Sequence, residues 1–256
     1  MSDIKFDYTG KVALVTGGAA GIGREIALRF AASNAQLVIS DINEELGQEL
    51  VDEIKSKGQK AKFIKCNVAI YDDIKSLIGF ISEEYGRLDF ACNNAGVEGQ
   101  NSMLDECSEQ NWDYVMNVNL KGLWFAIKEQ VPLMRKSGGG SIVNLSSVAG
   151  LVGFPSLGAY VSSKHGVIGL SKTAALEFAQ NGVRVNCICP GPIMTEMLQR
   201  IMDSRPGFKE GVIAGVPQGR IGEVSEIADA VLFLCSKSAG YITGQSLAID
   251  GGMVAQ

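Results

Sequence analysis

The stretch Thr16-Gly17-Gly18-Ala19-Ala20-Gly21-Ile22-Gly23 decides the fold. It follows an apolar run of strand length at 11–16 and precedes apolar residues at helical spacing over 22–32. Glycines let the backbone turn sharply and approach a phosphate, and the helix N-terminus attracts negative charge. The spacing differs from the commoner G-x-G-x-x-G fingerprint, but the strand–turn–helix context still predicts a dinucleotide site. Its expected contact residues are Gly17, Gly21, Ile22 and Gly23.

A carboxylate follows the second predicted strand, at 36–40. Asp41 lies eighteen residues beyond Gly23, where an acidic residue can accept hydrogen bonds from the adenosine ribose and repel a 2′-phosphate. Alternatively, Asp41 only caps the helix that begins near Asn43. Because no lysine or arginine replaces Ala19 or Ala20 or follows Asp41, the sequence favours NAD over NADP as the cofactor.

Seven apolar runs of strand length alternate with longer helical patterns. The runs span 11–16, 36–40, 61–66, 88–92, 140–145, 183–188 and 246–249, and helical spacing occurs at 22–32, 44–57 and 74–85. The alternation predicts a Rossmann-type, doubly wound α/β fold, with a seven-stranded parallel sheet covered by helices on both faces. Since no Pro/Ser-rich linker or internal repeat divides the chain, we expect residues 1–256 to form a single domain.

Composition argues against several classes of protein. The net charge is −5 and no cluster of basic residues stands out, so nucleic acids and anionic membranes are poor partners. No apolar run reaches the roughly 18 residues of a membrane span, and residues 1–6 do not resemble a secretory signal. The six scattered cysteines suit buried thiols in a reducing compartment rather than a metal site or redox pair. We therefore expect a cytoplasmic protein without a metal.

A second informative stretch is Tyr160-Val161-Ser162-Ser163-Lys164, which begins thirteen residues after Ser147. Residues four apart share a helix face, so the phenol and the ammonium project into the same space. At an effective dielectric near 20, a cation about 4–5 Å away favours the phenolate by roughly 3–4 kcal/mol, a fall in pKa of about 2–3. The pair predicts a tyrosine acid/base, whereas an isolated pair of this kind would more often just share a helix surface.

Taken together, these residues resemble the short-chain dehydrogenases/reductases, in the single-domain branch of about this length. The resemblance runs nearly end to end and rests on ordered landmarks at the family's spacing. They are 16–23, Asn93-Asn94-Ala95-Gly96, Asn117-Val118-Asn119, Ser147, 160–164 and 190–195. The resemblance implies a NAD-dependent oxidoreductase that interconverts a secondary alcohol and a ketone by hydride transfer.

The resemblance also implies four catalytic residues. Tyr160 would be the acid/base, and Ser147 would donate a hydrogen bond to the substrate oxygen. Lys164 would lower the tyrosine pKa and bond the nicotinamide ribose. Asn119 would kink its helix and hold a water that links Lys164 to solvent; an ordinary helix residue is the alternative.

Further cofactor contacts are implied by the same resemblance. Residues 93–96 would pack around the adenosine half, and Thr195 would bond the nicotinamide carboxamide. The family usually has Asp where this chain has Asn67, whose amide can still bond adenine. Beyond the glycine-rich stretch, the expected cofactor contacts are Asp41, Asn67, Val68, Asn93, Ala95, Gly96, Tyr160, Lys164, Pro190, Gly191, Ile193 and Thr195.

Two segments after predicted strands are expected to shape the substrate pocket. Residues 148–159 are largely apolar, and 193–215 carry apolar residues at helical spacing and are long enough for a lid. They suggest an apolar alcohol or ketone, although the same side chains could instead close the lid onto the protein itself. Glu98 is a polar residue for the pocket rim. His165, the only histidine, faces about 100° away from Lys164 and is expected to have a packing or interface role rather than a catalytic one.

Two other functions remain as alternatives. A 3-oxoacyl carrier-protein reductase usually favours NADP and needs a basic docking face, and both Asp41 and the acidic charge balance argue against that function. A non-catalytic NAD-binding protein need not keep Ser147, Tyr160, Lys164 and Asn119 together. The family resemblance implies a homotetramer, with 159–180 and 241–252 at its interfaces.

Overall fold

The glycine-rich stretch lies where the first strand meets the first helix. The computed structural model describes residues 5–204 and 207–255, so most of the amino-terminal segment and two residues of the predicted lid lie outside the described chain. The strands are β1 Val12–Thr16, β2 Gln36–Asp41, β3 Ala61–Lys65, β4 Phe90–Asn93, β5 Gly140–Leu145, β6 Val183–Pro190, β7 Ile193–Met194, β8 Gly222–Glu223 and β9 Ser246–Ile249. The α-helices are α1 Gly21–Ala32, α2 Glu44–Ser56, α3 Tyr71–Tyr85, α4 Glu109–Met116, α5 Gly122–Lys136, α6 Gly158–Phe178, α7 Glu196–Ser204, α8 Phe208–Ala214 and α9 Val224–Cys235.

Seven of the strands form one parallel sheet in the order β3-β2-β1-β4-β5-β6-β9. The predicted doubly wound fold is therefore confirmed, and each predicted strand coincides with a strand of this sheet to within a few residues. The strand order reverses between β1 and β4, and ligands in such sheets bind in the crevice beyond the carboxyl ends of the strands at that reversal. Strands β7 and β8 form a separate two-stranded ribbon that the sequence did not predict.

The strands are buried on both faces, which explains why they read as continuous apolar runs. In β1, Ala13 and Val15 belong to the core on one side of the sheet, and Val12 and Leu14 belong to the core on the other. Helices α1 and α9 contribute to the first core, and α3, α5 and α6 contribute to the second. Helix α9, which the sequence analysis did not predict, buries Ile227 and its neighbours in the first core.

Helices α4 and α5 are joined by a turn of π-helix at Asn117–Lys121. Such turns insert an extra residue into a helix and occur frequently at functional sites. Asn119 lies within this turn and is 3% exposed, so the irregular turn carries the asparagine that the family resemblance singled out.

Helix α6, which covers most of the segment 159–180 that the family resemblance places at a subunit interface, is buried on one face only in the single chain. One face packs into the core through Val167, Ile168 and Ala174. On another face the Leu176 side chain is 84% exposed. Within the described chain, no helix combines the length and hydropathy needed to cross a membrane.

Candidate active site

The loops at the carboxyl end of the sheet enclose a cleft of about 800 Å³. This volume lies within the range of cofactor and small-molecule sites. Most of the predicted site residues line the cleft, namely Gly17, Gly21, Ile22, Asp41, Asn67, Val68, Ala95, Gly96, Ser147, Tyr160, Lys164, Pro190, Gly191, Ile193 and Thr195. Gly23, Asn93 and Asn119 do not line it, and the positions of these three residues explain why.

Gly23, the last glycine of the stretch, packs against the turn at Gly17. A Cβ at this position would lie 2.1 Å from the carbonyl oxygen of Gly17, so only glycine lets helix α1 start this close to the turn. The amide of Asn94 fastens the same turn by donating hydrogen bonds to the carbonyl oxygens of Gly17 at 2.8 Å and Thr16 at 3.3 Å. Asn94 belongs to the motif at 93–96, but it was not among the predicted site residues.

The start of helix α1 fits a phosphate group. Its N-cap residue, Ala20, has no side chain that can accept a hydrogen bond from the first turn, and Ala20, Gly21 and Ile22 line the cleft. The first N–H groups of a helix have no partner within the helix and carry partial positive charge. A dinucleotide pyrophosphate supplies the acceptors that these groups need.

Asp41 ends strand β2 with its carboxylate held in place by two backbone donors. One oxygen accepts a hydrogen bond from the Ala19 N–H at 3.1 Å, and the other accepts from the Asn43 N–H at 3.0 Å. The alternative that Asp41 caps α2 is wrong, because Asn43 is the N-cap and accepts a hydrogen bond from the Leu46 N–H. The Asp41 carboxylate is thereby oriented at the cleft wall.

Asn67 and Val68 line the cleft after β3. The Asn67 side-chain oxygen accepts a hydrogen bond from the Ala69 N–H at 3.0 Å, and the Asn67 N–H donates to Asp73 at 2.9 Å. These bonds fix the loop and orient the amide that stands in place of the family's usual aspartate. The neighbouring Cys66 is an unreactive thiol at neutral pH, because burial raises its pKa to about 11.

Tyr160, Lys164 and Ser147 meet at the same cleft. Helix α6 carries the first two residues, and Ser147 follows β5. The Ser147 hydroxyl accepts a hydrogen bond from the Ala149 N–H at 3.1 Å, which leaves its own proton available for another acceptor. Lys164 is 5% exposed, and its Nζ donates a hydrogen bond to the Leu145 carbonyl oxygen at 2.9 Å.

The electrostatics of this group differ from the sequence-based expectation that Lys164 lowers the pKa of Tyr160. Burial raises the pKa of Tyr160 above its ordinary value; Ser147, through a hydrogen bond, opposes the rise and the negative charge of Glu98 adds to it. The Lys164 Nζ lies 5.5 Å from the centre of the Tyr160 ring and is engaged by Leu145. Burial also lowers the pKa of Lys164 to about 8. In this chain alone, Tyr160 is therefore a protonated phenol at neutral pH.

The Asn119 side chain does not line the cleft and supports the segments that carry the cleft residues. Its side-chain oxygen accepts a hydrogen bond from the Val97 N–H at 2.8 Å, and its amide donates to the Val97 carbonyl oxygen at 2.8 Å and to the Ser163 hydroxyl at 3.0 Å. Ser163 in turn donates to the Tyr160 carbonyl oxygen at 2.7 Å. The Asn119 side chain thus connects the loop after β4 to the catalytic helix, and Ser163 is a supporting residue that sequence reasoning missed.

Asn93 was predicted to contact the cofactor, but the structure places its side chain beneath the cleft floor. Its amide donates to Gln130 at 3.1 Å and to Asn144 at 2.9 Å, and its side-chain oxygen accepts from Gln130 at 2.8 Å. Asn144 continues this buried network to Ser171. The Asn93 side chain thus supports the sheet, and a cofactor contact of this residue stays a prediction.

Two remaining predictions concern residues near the cleft. Thr195 lines the cleft, and its hydroxyl accepts a hydrogen bond from the Leu198 N–H at 3.2 Å, so it caps α7 and can still donate its proton. His165 is exposed, and its Nδ1 contacts the Val161 carbonyl oxygen at 2.9 Å. Among the described residues, no group of three or more histidine, cysteine, aspartate or glutamate side chains could hold a metal ion.

A nucleotide-sized cleft at the strand reversal, with a tyrosine, a lysine and a serine in its wall, defines a nucleotide-dependent oxidoreductase of the Rossmann type. Comparison with known proteins agrees with this class. A family model described as Enoyl-(Acyl carrier protein) reductase matches residues 17–254. The chain belongs to the short-chain dehydrogenase/reductase family and is an oxidoreductase that acts on CH–OH groups.

Relatives of similar length cover nearly the whole chain. Cyclohexanol dehydrogenase from Acinetobacter sp. (strain SE19) is 40% identical over 245 residues, which is 95% of each chain. The 3-oxoacyl-[acyl-carrier-protein] reductase FabG of Staphylococcus aureus is 41% identical, over 95% of this chain and 98% of the relative. A 2,5-dichloro-2,5-cyclohexadiene-1,4-diol dehydrogenase from Sphingobium indicum is 40% identical, over 97% of this chain and 99% of the relative. The crystal structure of levodione reductase superposes with a TM-score of 0.91 at 31% identity, over 97% of this chain and 99% of that chain.

Proposed function

We propose that this protein is a NAD-dependent dehydrogenase that interconverts a secondary alcohol and a ketone, with Tyr160 as the acid/base. One observation carries the proposal. Tyr160, Ser147 and Lys164 line the same cleft as the glycine-rich turn and Asp41, so a reacting carbon and a dinucleotide can be held side by side.

Each polar residue of the group has a distinct role in this proposal. A bound nicotinamide dinucleotide supplies or accepts the hydride, and its oxidised ring adds a positive charge that favours the phenolate. Tyr160 exchanges a proton with the substrate oxygen, and Ser147 donates a hydrogen bond to that oxygen and stabilises its developing charge. Lys164 bonds the nicotinamide ribose, and Asn119 holds the loop after β4 against helix α6. Return of the proton to solvent by a water near Asn119 and Lys164 remains part of the proposal.

The choice of NAD is supported by the Asp41 carboxylate. Its two backbone donors orient it at the cleft wall, where it can accept hydrogen bonds from the ribose hydroxyls. The same negative charge opposes a 2′-phosphate. In the part of the chain that the structure describes, the cleft lining contains Lys164 and Arg200 as its only basic residues, and Lys164 is already assigned to the nicotinamide half.

A cyclic, largely apolar alcohol is the substrate class that the relatives and the cleft support together. Two of the relatives are named for six-membered ring alcohols. Val97, Leu145 and Leu198 line the cleft, and Leu198 lies on α7, within the segment 193–215 that we propose acts as a lid. Residues 205–206 of this segment lie outside the described chain.

A carrier-protein reductase is the second function with a specific observation in its favour, because a relative of that name is 41% identical. The two functions are distinguished by initial rates with cyclohexanol and NAD, and with acetoacetyl-CoA and either reduced cofactor. NADH formation from cyclohexanol that is lost in Ser147→Ala supports the proposal. Efficient reduction of the thioester by NADPH, without oxidation of cyclohexanol, would contradict it. Any NADH formation from an alcohol would exclude the non-catalytic NAD-binding alternative.

The quaternary structure and location are also part of the proposal. Leu176 on α6 is 84% exposed and Tyr241 near the C-terminus is fully exposed, as expected of surfaces that a homotetramer covers. All six cysteines are free thiols, which suits the cytoplasm. Light scattering that gives a mass of about four chains supports the tetramer, and a monomer at micromolar concentration would contradict it.

A further inference from the structure

The loop after β4 places an exposed carboxylate, Glu98, at the rim of the cleft that holds Tyr160. Glu98 lines the same cleft as Ser147 and Tyr160, and its negative charge contributes to the raised pKa of Tyr160. Glu98 is exposed, and among the residues whose side chains the structure describes, none forms a hydrogen bond or ion pair with its carboxylate. Its oxygens are therefore available to a ligand near the reacting atoms.

The backbone on both sides of Glu98 is fixed by buried asparagines. On one side, the Asn119 amide bonds both the N–H and the carbonyl oxygen of Val97 at 2.8 Å. On the other side, Asn111 accepts a hydrogen bond from the Gln100 N–H at 2.8 Å and donates to the Gln100 carbonyl oxygen at 3.1 Å. Two such bidentate pairs, three residues apart, hold the loop in one position.

Gly99, the residue between Glu98 and the second asparagine pair, tightens this arrangement. It has a φ of +78°, and a Cβ there would lie 2.4 Å from Val115 Cγ2, so the loop packs directly on α4. A rigid loop holds a binding group in place before the substrate arrives, which lowers the entropic cost of binding. The backbone that carries Glu98 is thus positioned as firmly as a binding site requires.

The surroundings of Glu98 indicate what kind of group it would bind. An ionised carboxylate only accepts hydrogen bonds, and in a mostly apolar pocket a few polar groups fix the orientation of the ligand. The other charged residues of the lid side are Glu196 and Arg200, and the Arg200 Nε already donates to the Glu196 carbonyl oxygen at 3.2 Å. The Glu98 carboxylate therefore repels an anionic group placed against it and suits a hydrogen-bond donor such as a hydroxyl.

We propose that Glu98 accepts a hydrogen bond from a second hydroxyl group of the substrate, which makes cyclic diols and the corresponding hydroxyketones the preferred substrates. The inference rests on the proposed function and adds the substrate class. One carbinol is oxidised: its C–H electron pair leaves as hydride to the nicotinamide dinucleotide, and its hydroxyl proton passes to Tyr160. The second hydroxyl is unchanged and serves only for recognition.

The test compares kcat/KM, at saturating NAD, for cyclohexanol and for the 1,2-, 1,3- and 1,4-cyclohexanediols in their cis and trans forms. The measured quantity is the ratio of the best diol to cyclohexanol. A hydrogen bond to a charged acceptor accounts for a tenfold or larger preference, so the wild-type ratio should exceed about 10. Glu98→Gln should lower the ratio about tenfold. Glu196→Gln, which removes a carboxylate from the same cleft, should leave the ratio unchanged.

The outcomes separate the substrate class from the reaction. Oxidation of cyclohexanol with no preference for any diol would overturn the role of Glu98 and leave the dehydrogenase function intact. A ratio that falls equally in both variants, or rates in Glu98→Gln that fall equally for both substrates, would also overturn it. If the wild type binds NADH but oxidises none of these alcohols, the proposed function fails and the inference fails with it.

Discussion

Replacing Asp41 by asparagine is the sharpest test of how this cleft selects its cofactor. The substitution keeps the size of the side chain and removes its charge. In the structure both carboxylate oxygens accept backbone hydrogen bonds, from Ala19 and Asn43. An asparagine can satisfy only one of these donors and turns an NH₂ group toward the other, so the turn near the ribose is also loosened.

The size of the change in cofactor preference follows from two effects of the substitution, a lost hydrogen bond to NADH and a lost repulsion of NADPH. Hydrogen bonds from ribose hydroxyls to a charged acceptor contribute about 1.5–3 kcal/mol, so the affinity for NADH should fall roughly 30-fold, which corresponds to about 2 kcal/mol. Two unit charges about 4 Å apart repel by about 4 kcal/mol at an effective dielectric of 20. Because Asp41 is only half-buried, we take about half of this, and the affinity for NADPH should rise roughly 30-fold. The preference then shifts by about 1,000-fold.

The assay is titration of the wild type and Asp41→Asn with NADH and NADPH, followed by nicotinamide fluorescence. Glu45→Gln is a matched control, because Glu45 is an exposed carboxylate at the start of α2 and does not line the cleft. The wild type should prefer NADH, and the control should keep that preference. A wild type that prefers NADPH would refute the reasoning. A ratio of NADH affinity to NADPH affinity in Asp41→Asn that stays within about threefold of the wild-type ratio would refute it as well.

Two further predictions concern charged groups with altered pKa values. The dissociation constant for NADH should rise as the pH rises through about 8, because burial lowers the pKa of Lys164 to about 8. Above that pH the neutral amine loses its charge-assisted hydrogen bond to the ribose. A dissociation constant that does not change between pH 6.5 and 9.5 would argue against that bond. Asp89→Asn should lower the free energy of unfolding by about 2–4 kcal/mol, because the buried carboxylate bonds Lys11, Arg87 and the Val12 N–H. Although burial raises the pKa of Asp89, these bonds lower it overall. Its stabilisation is therefore fully present above the unfolded pKa and is lost as the pH falls through the lower folded pKa. Urea denaturation at pH 7 and at about pH 3 should show a smaller acid loss in the variant.

The fold was predictable because its signals are local. Each strand of the main sheet is a short apolar run, and the glycine-rich stretch 16–23 marks the point where the first strand turns into a helix. The two-residue strands β7 and β8 were not predictable in the same way. Gly222 and Glu223 have no strand-like pattern, and they pair with Ile193 and Met194 only because the tertiary fold brings the segments together.

The site was less predictable where side chains act through long-range contacts. Tyr160 and Lys164 share a helix face as their spacing predicts, yet Lys164 bonds the Leu145 carbonyl oxygen and burial dominates the tyrosine pKa. Neither fact is visible in the spacing of two residues. Similarly, Asn93 and Asn94 are adjacent in sequence, but the strand ends between them and sends one side chain into the core and the other to the glycine-rich turn.

In the proposed reaction, the Tyr160 hydroxyl carries the proton beside a bound nicotinamide. The measurement that tests it most directly is turnover of cyclohexanol by Tyr160→Phe, with NADH binding measured on the same sample. Tyr114→Phe is the matched control, since Tyr114 lines the same cleft and should retain turnover. Because positioned acid/base groups contribute about 10²–10⁴-fold, we expect Tyr160→Phe to bind NADH within about threefold of wild type and to lose at least 100-fold in kcat. A variant that binds NADH normally and turns over within tenfold of wild type would contradict the account.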